Sequence, residues 1–341
     1  MKTISKQIAG TVMAIFLLVG SVGCAFSTNN SISFTGGNDA ILMTTKEFST
    51  SEIKALVVNT SGGSIQVDGS AGSKTTVEMH VRPNNNRNLS KSEIQEILDR
   101  DYEISIVQNG GTIEAYAKRK NKTNWRNGIS ISFRVLTGTN VTTDLNTSGG
   151  SIRIANLNGR QNFKTSGGSL TVSNVDGQIN GKTSGGSIKA KNLDGDIQLS
   201  TSGGSIRLEN LSGDIEAQTS GGSIKGDHIS GNLYAKTSGG SINFDNLSCI
   251  LDAGTSGGSA TASFNELLGA VNLTTSAGSV NLTIPRNSAA DLNLKGMRVS
   301  TDNLNNFNGT NSKGKLTGTI NGGGHQISAS TSAGSVNLRF N

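Results

Sequence analysis

A repeat of 18 residues dominates the sequence and restricts the fold more than any other feature. The string Thr-Ser-Gly-Gly-Ser begins at seven positions in register, each 18 residues after the last: Thr147, Thr165, Thr183, Thr201, Thr219, Thr237 and Thr255. An isolated earlier copy of the same string begins at Thr60, and the related string Thr-Ser-Ala-Gly-Ser begins at Thr275 and Thr331. A fixed period of this kind is typical of a solenoid, in which each repeat adds one coil to a continuous core.

Each repeat consists of two strand-like halves. Apolar residues alternate with polar ones, as at Ile206 and Leu208 in one half and at Ile215 and Ala217 in the other. Alternation with a period of two buries one face of a strand. Glycine, with 45 residues in 341, recurs between the halves, where tight corners need conformations that glycine tolerates. The pattern predicts an all-β fold, a single-stranded β-solenoid (β-helix) with 18-residue coils and two glycine corners per coil.

Equivalent residues of such a stack lie above one another at about 4.8 Å. The repeat threonines are therefore expected to form one ladder, and an asparagine ladder is expected as well, because stacked amides can bond along the axis. We interpret both ladders as structural, with His228 replacing asparagine in one coil and Cys249 replacing glycine in another. The asparagine positions are Asn156, Asn174, Asn192, Asn210 and Asn246.

The N-terminus has the features of an export signal. A basic start is followed by the apolar run Ile8–Val22, which is short for a membrane span of about 20 residues. Small residues then precede Cys24, as in a bacterial lipobox. We predict a lipoprotein signal peptide at residues 1–23 with lipidation at Cys24; the alternative is an ordinary signal peptide with an incidental cysteine. The absence of Asp after Cys24 resembles the sorting pattern for the outer membrane, if the cell has two membranes.

Three further segments follow from composition and period. Residues 24–46 are rich in Ser, Thr, Asn and Gly and are predicted to be a flexible tether. Residues 47–140 lack the period and are predicted to be a β-rich N-terminal cap region, with one short helix after the capping box that begins at Ser90. Residues 141–341 are predicted to be the solenoid repeat domain, with atypical final coils.

The residue patterns of several kinds of chemistry are missing from the repeats. A calcium-binding β-roll needs a carboxylate in each turn, and glycan-cleaving enzymes need paired carboxylates. The three histidines share no metal-ligand or triad spacing. We therefore expect no catalytic residue, metal, cofactor or small-molecule substrate. The net charge of +6 is too small to indicate nucleic-acid binding.

One column of positive charge is a candidate binding surface. It consists of residues that directly follow a buried position, with Thr171 interrupting the series: Arg153, Lys189, Arg207 and Lys225. Along one face these side chains could hold an anionic glycan or lipid headgroup. The alternative interpretation is that the acidic column two residues further on neutralises them in cross-strand pairs.

A strand-rich lead-in, then Val135-Leu136-Thr137-Gly138-Thr139, then serial Thr-Ser-Gly-Gly-Ser-Ile units resemble the bacterial β-strand-repeat family labelled "putative adhesin", whose function is unknown. The resemblance covers residues 47–341 and corresponds to a lipoprotein form. Leu136-Thr137 stands where relatives often carry Val-Pro. The resemblance implies a β-helical protein that is exported or faces the cell envelope.

Three functions are open at this point. The leading hypothesis is a non-catalytic, lipid-anchored module of the cell envelope, adhesin-like or structural, that binds a glycan or another envelope component through its surface. The second is an envelope-associated regulatory or scaffold protein that binds another envelope protein through Glu47–Leu136. The third is a glycan-active enzyme, which would need two carboxylates about 5–9 Å apart in a groove.

Overall fold

The computed structural model describes residues 40–120 and 128–341. The predicted signal peptide, the lipidation site Cys24 and residues 24–39 of the predicted tether lie outside the described residues. The described elements are β1 (Ile41–Ser49), β2 (Ala55–Thr60), β3 (Ile65–Asp68), β4 (Lys74–Pro83), α1 (Lys91–Asp101), β5 (Tyr102–Asn109), β6 (Thr112–Arg119), β7 (Ile129–Leu136), β8 (Thr142–Thr147), β9 (Ile152–Thr165), β10 (Leu170–Lys182), β11 (Ile188–Thr201), β12 (Ile206–Thr219), β13 (Ile224–Lys236), β14 (Ile242–Thr255), β15 (Ala260–Thr275), β16 (Val280–Ile284), β17 (Ala290–Lys295), β18 (Arg298–Thr301), β19 (Asn308–Ser312), β20 (Lys315–Ile320), β21 (His325–Thr331) and β22 (Ser335–Phe340).

The central coils confirm the predicted β-solenoid with an 18-residue period. Strands β9 to β15 pair in parallel, so that each residue lies beside its equivalent in the next coil, as Ile188 does beside Ile206. The inward side chains of each coil form a thin aliphatic layer. In the coil of β11 they are Ile188, Ala190, Leu193, Ile197 and Leu199, all buried.

Strands β9 to β14 each bend at an asparagine, or at His228 in β13. The φ angles at Asn156, Asn174, Asn192, Asn210, His228 and Asn246 are between 53° and 59°, and pairing between these six strands skips the bend residue. The corner glycine, such as Gly195 with φ 122°, follows three residues later. This corner is therefore made by asparagine and glycine together, whereas the sequence pattern had predicted two glycine corners per coil. Asparagine tolerates this left-handed conformation because its short polar side chain bonds locally. We call the part of each strand before the bend the first segment and the part after it the second segment.

The threonine ladder lies at the end of the second segments. All ten repeat threonines, from Thr60 to Thr331, are buried. In a typical coil, Thr219 Oγ1 donates to the carbonyl oxygen of Gly204 at 2.8 Å and accepts from the Gly222 N–H at 3.3 Å. The ladder is thus present, but each hydroxyl bonds the backbone of a neighbouring coil rather than the next threonine. This satisfies polar groups that a buried turn would otherwise leave unpaired.

The asparagine ladder is also confirmed over four coils. Asn174, Asn192 and Asn210 each donate a side-chain N–H to the Oδ1 of the preceding asparagine, at 2.8–3.1 Å. Asn156 begins the ladder by donating to Asp68 Oδ1 at 2.9 Å. The ladder stops at His228, whose imidazole lies 3.0 Å from Asp227 instead.

The first coil of the sequence is placed inside the stack. Strand β2 pairs in parallel with both β6 and β8, and β3 pairs with both β7 and β9. Beyond that level, antiparallel pairs of β5 with β6, β4 with β7 and β1 with β4 close the end. Helix α1 buries Ile94, Ile97 and Leu98 there and has the predicted capping box at Ser90 and Glu93. Strands β2 and β3 thus pair with strands on both sides of the predicted domain boundary between residues 140 and 141. This boundary stays a prediction.

Strand β1 corrects one prediction. Residues 41–46 were assigned to the flexible tether, but they pair with β4, with Ile41 beside Val81. The reason is packing, because Ile41, Met43 and Phe48 are partly buried against the core. The cap region is rich in strands, as predicted, with β2 to β7 lying between Ala55 and Leu136.

The last coil of the sequence is also placed inside the stack. Strand β21 lies between β15 and β17, and β22 lies between β16 and β18. The antiparallel strands β19 and β20, from the Asn- and Gly-rich stretch, then cover β17. One end of the solenoid is therefore formed by strands that follow β2 and β3 in the sequence, and the other end by strands that precede β21 and β22. This accounts for the atypical final coils.

Candidate surface-binding sites

The predicted basic column lies on the outward face of the first segments. Lys189, Arg207 and Lys225 occupy consecutive register positions, and Thr171 separates Lys189 from Arg153. Arg153 is half-buried and the other three are exposed. Within residues 40–120 and 128–341, none of the four has a carboxylate within 4.0 Å. The structure thus brings the four charges into one line.

The neighbouring acidic column is neutralised in a different way from the one predicted. Glu209 forms its ion pair with Lys191 of its own column, at 2.8 Å, and not with Arg207. The hydrogen bond from Lys191 is the main reason that the pKa of Glu209 lies below its usual range. Hydrogen bonds from Asn246 and His228 lower the pKa of Asp227. In the acidic column, which consists of Glu209, Asp227 and Asp245, Glu209 and Asp227 thus have their partners outside the basic column, and among the described residues the basic column is left without a direct carboxylate partner.

Between the two columns the surface has a depression of about 520 Å³. Arg207 and Lys225 line one side, and Glu209, Asp227 and Asp245 line the other. The depression carries both signs of charge. An anion that bound there would have to approach Arg207 and Lys225 from the side away from the carboxylates.

Two further depressions follow the threonine–serine turns, of about 660 and 390 Å³. Lys164 and Ser166 line the first, and Lys182 and Lys236 line the second with serines of several coils. Sequence reasoning missed this lysine series. Its signal was the recurrence of lysine directly before the repeat threonine.

A depression of about 380 Å³ lies on the outward face of the second segments, and sequence reasoning missed it as well. It combines carboxylates with apolar groups, and its main lining residues are Asp196, Asp214, Glu216, Tyr234, Ile250 and Asp252. We call it the Tyr234 groove. Its signal in the sequence was the 20-residue interval between Thr255 and Thr275, which breaks the period beside Ile250.

The described residues contain no group of three or more His, Cys, Asp or Glu side chains that could hold a metal ion. His80 and His228 each lie 3.0 Å from a carboxylate oxygen, of Glu78 and Asp227 respectively. Cys249 is buried, has no disulfide partner among the described residues and occupies the register position of Gly231, as predicted. Among residues 40–120 and 128–341, no helix is both long and apolar enough to span a bilayer.

Solved structures that resemble the chain include a putative cell adhesion protein from Clostridium sporogenes (9% identity, TM-score 0.22), a putative lipid binding protein from Parabacteroides distasonis (15%, 0.38) and a putative adhesin from Bacteroides fragilis (13%, 0.29). The alignments cover 89%, 90% and 89% of this chain and 100%, 98% and 98% of those chains, respectively.

No functionally curated protein is similar to the chain in sequence. The sequence profile of one family, Toastrack DUF4097, matches residues 29–339, which is nearly the whole chain. This match agrees with the expected β-strand-repeat family. The chain belongs to the Toastrack DUF4097 family.

Proposed function

We propose that the protein is a non-catalytic surface-binding module of the cell envelope, held to a membrane by lipid on Cys24. Its basic column binds the anionic groups of an envelope glycan or of lipid headgroups. The observation that carries the proposal is the alignment of Arg153, Lys189, Arg207 and Lys225 in one register, without a direct carboxylate partner.

The geometry suits an extended ligand rather than a single small anion. Neighbouring charges of the column are separated by one or two coil steps of about 4.8 Å each. Each exposed ion pair contributes at most about 1 kcal/mol, so one contact is weak. Several contacts on one rigid line reinforce each other, because the second and later contacts form at a high effective concentration.

The anchor is proposed from the sequence around Cys24. Lipid chains contribute about 0.8 kcal/mol per buried CH₂, and more than one chain is needed for stable attachment. Several acyl chains on one cysteine would hold the solenoid at a membrane, which is the outer membrane if the cell has two. The remaining residues before β1 would then separate the coils from the lipid surface.

Binding of the soluble body, from Asn30 onward, to a glycan array and to vesicles of anionic or neutral lipid tests the proposal. A variant with Arg153, Lys189, Arg207 and Lys225 all changed to Gln is expected to lose at least tenfold in affinity for the anionic ligand. Loss of binding on raising the salt concentration is expected too, since exposed charges are screened. The glycan and lipid arms distinguish the two sources of anionic groups.

The control variant changes Lys54, Lys295, Arg298 and Lys313 to Gln, four exposed residues outside the column. It has the same net charge as the test variant. Equal losses of affinity in both variants would show that binding depends on overall charge and not on the column. Unchanged affinity in the test variant would contradict the proposal.

A further inference from the structure

The outward face of the second segments has one apolar interruption. From β9 to β13 the outward positions before Tyr234 carry polar side chains, such as Gln198 and Glu216. Tyr234, Ile250 and Leu268 then follow with exposed fractions of 37%, 43% and 48%. Clustered exposed apolar side chains on a polar surface are typical of an interaction site.

A bulge in β15 creates this cluster. The register between β14 and β15 shifts between Cys249 and Leu251, because the coil contains two more residues than its neighbours. The extra residues lie against Ile250, so that a Cβ atom built on Gly269 would be 2.6 Å from Ile250 Cγ1. Bulges redirect side chains and are common beside functional sites. Leu268 lies between Leu267, the register partner of Cys249, and Gly269, which meets Ile250, and it is thereby exposed at the edge of the groove.

Carboxylates surround the apolar side chains. Among the residues that the structure describes, Asp196, Asp214 and Glu216 have no basic nitrogen within 4.0 Å, although all three line the groove. Asp214 accepts a hydrogen bond from Asn232, and Glu216 accepts one from Gln218. The groove therefore carries negative charge that the protein does not neutralise.

One lysine of the protein shows how the groove holds a cation. Lys236 Nζ lies 3.0 Å from Asp252 Oδ1 and 5.1 Å from the centre of the Tyr234 ring. Such a cation is attracted by the carboxylate and by the ring face at the same time. The other three carboxylates offer the same chemistry with no lysine of the described chain in place.

We propose that the Tyr234 groove binds a cationic amphipathic peptide segment of another protein or peptide in an extended conformation. The apolar side chains of the segment pack on Tyr234, Ile250 and Leu268, and its lysines or arginines face the carboxylates. A neutral glycan would leave the carboxylates without a counter-charge, and a polyamine would leave the apolar side chains exposed.

The dimensions of the groove agree with a short segment. Three coil steps separate Asp196 from Ile250, which is about 14 Å, or the length of about four extended residues. Asp196 and Asp214 lie in the same register column as Ile250, so a segment that carries both basic and apolar side chains would meet both kinds of lining group along its length. This surface is separate from the basic column, and the inference does not depend on the function proposed above.

Fluorescence anisotropy with the full-length chain in phosphatidylcholine nanodiscs tests the proposal. The probe is a labelled Lys-Val-Lys-Val-Lys peptide, compared with Lys-Ser-Lys-Ser-Lys and Glu-Val-Glu-Val-Glu, and empty nanodiscs give the background. The first peptide is expected to bind at least fivefold more tightly than either of the others. Equal binding of the three peptides, or tighter binding of the neutral sugar cellotetraose, would overturn the proposal.

Two groove variants sharpen the test. The pair Ile250→Ser with Leu268→Ser and the pair Asp214→Asn with Glu216→Gln are each expected to lower the affinity at least fivefold. The matched control, Leu42→Ser with Val107→Ser, removes apolar groups of similar exposure, 44% and 39%, away from the groove and is expected to bind normally. Normal affinity in both groove variants, with native circular dichroism, would overturn the proposal while leaving binding of anions by the basic column intact.

Discussion

At the scale of single residues, the two glycines of each turn have different roles. The second glycine lies directly over the same glycine of the preceding coil: a Cβ atom on Gly204 would be 2.1 Å from the carbonyl oxygen of Gly186. The first glycine has room, since a Cβ atom on Gly203 would be 3.6 Å from the nearest atom. The close approach of backbones, and not a special φ angle, is what requires glycine at the second position.

The adjacent substitutions Gly204→Ala and Gly203→Ala test this difference. We expect Gly204→Ala to lower the free energy of unfolding by at least about 3 kcal/mol, because a clash with the backbone of the preceding coil must be relieved by moving a coil. Gly203→Ala is expected to change it by less than about 1 kcal/mol. Urea unfolding followed by circular dichroism measures both, and similar losses would contradict the assignment.

Cys249 makes the stability of the fold depend on pH in the alkaline range. Burial raises the pKa of its thiol from 9.0 to about 12, so the folded protein retains a proton that the unfolded chain releases. The thiol therefore stabilises the fold fully below pH 9, and this contribution is lost as the pH rises from about 9 to about 12. Between pH 8 and pH 10.5 the soluble body should lose about 2 kcal/mol more than its Cys249→Ala variant. Parallel pH profiles of the two proteins would contradict this expectation.

At the scale of elements, the bend in each strand combines a backbone conformation with a side-chain ladder. Asn192 has φ 53° and bonds the asparagines of both neighbouring coils. The exact 18-residue period made this ladder and the pairing of β9 to β15 predictable. The exclusion of the bend residue from pairing was not predictable, because alternation alone does not distinguish an asparagine within a strand from one at a corner.

Two substitutions at Asn192 separate the two contributions. Asn192→Gly keeps the left-handed conformation accessible and removes two side-chain hydrogen bonds, for an expected loss of about 1 kcal/mol. Asn192→Ala removes the same bonds and adds a conformational cost of about 1–2 kcal/mol. Thermal and urea unfolding should therefore rank wild type above Gly and Gly above Ala. An alanine variant as stable as the glycine variant would show that the bend does not need this conformation.

The surface sites show the limit of the repeat as a predictor. The period placed Arg153, Lys189, Arg207 and Lys225 in one column, as observed. It did not predict that Glu209 would pair with Lys191, since side-chain reach decides between neighbouring columns. The Tyr234 groove was missed because it depends on how two inserted residues in β15 are accommodated. The interrupted period shows that residues are inserted there, but not where their side chains lie.

At the scale of the whole molecule, both terminal coils of the sequence lie between other coils. Strands β2 and β3 are paired on both sides, and so are β21 and β22. The strings at Thr60 and Thr331 were signals that these segments join the ladder. The positions of these segments in the stack could not be predicted, because strands without the period lie between them and their pairing partners in the sequence.

Hydrogen exchange tests this arrangement. In a solenoid built in simple sequence order, the last coil would be an edge and its amides would exchange early, as the ends of many chains do. Here the amides of β21 and β22 are expected to exchange as slowly as those of β12, and those of the end strand β19 at least tenfold faster. Mass spectrometry of peptic fragments measures these rates. Rapid exchange throughout β21 and β22 would contradict the interior position.

The interior position of β21 and β22 also determines when the stack can become continuous. Synthesis proceeds from the N-terminus, yet the level between β15 and β17 is filled only by β21, which is made after β17 to β20. A chain that stops before β21 therefore does not become a shorter solenoid. It retains a gap bordered by strands with unpaired backbone groups, which are ready to join another chain. The stack is continuous only once β21 and β22 have been synthesised.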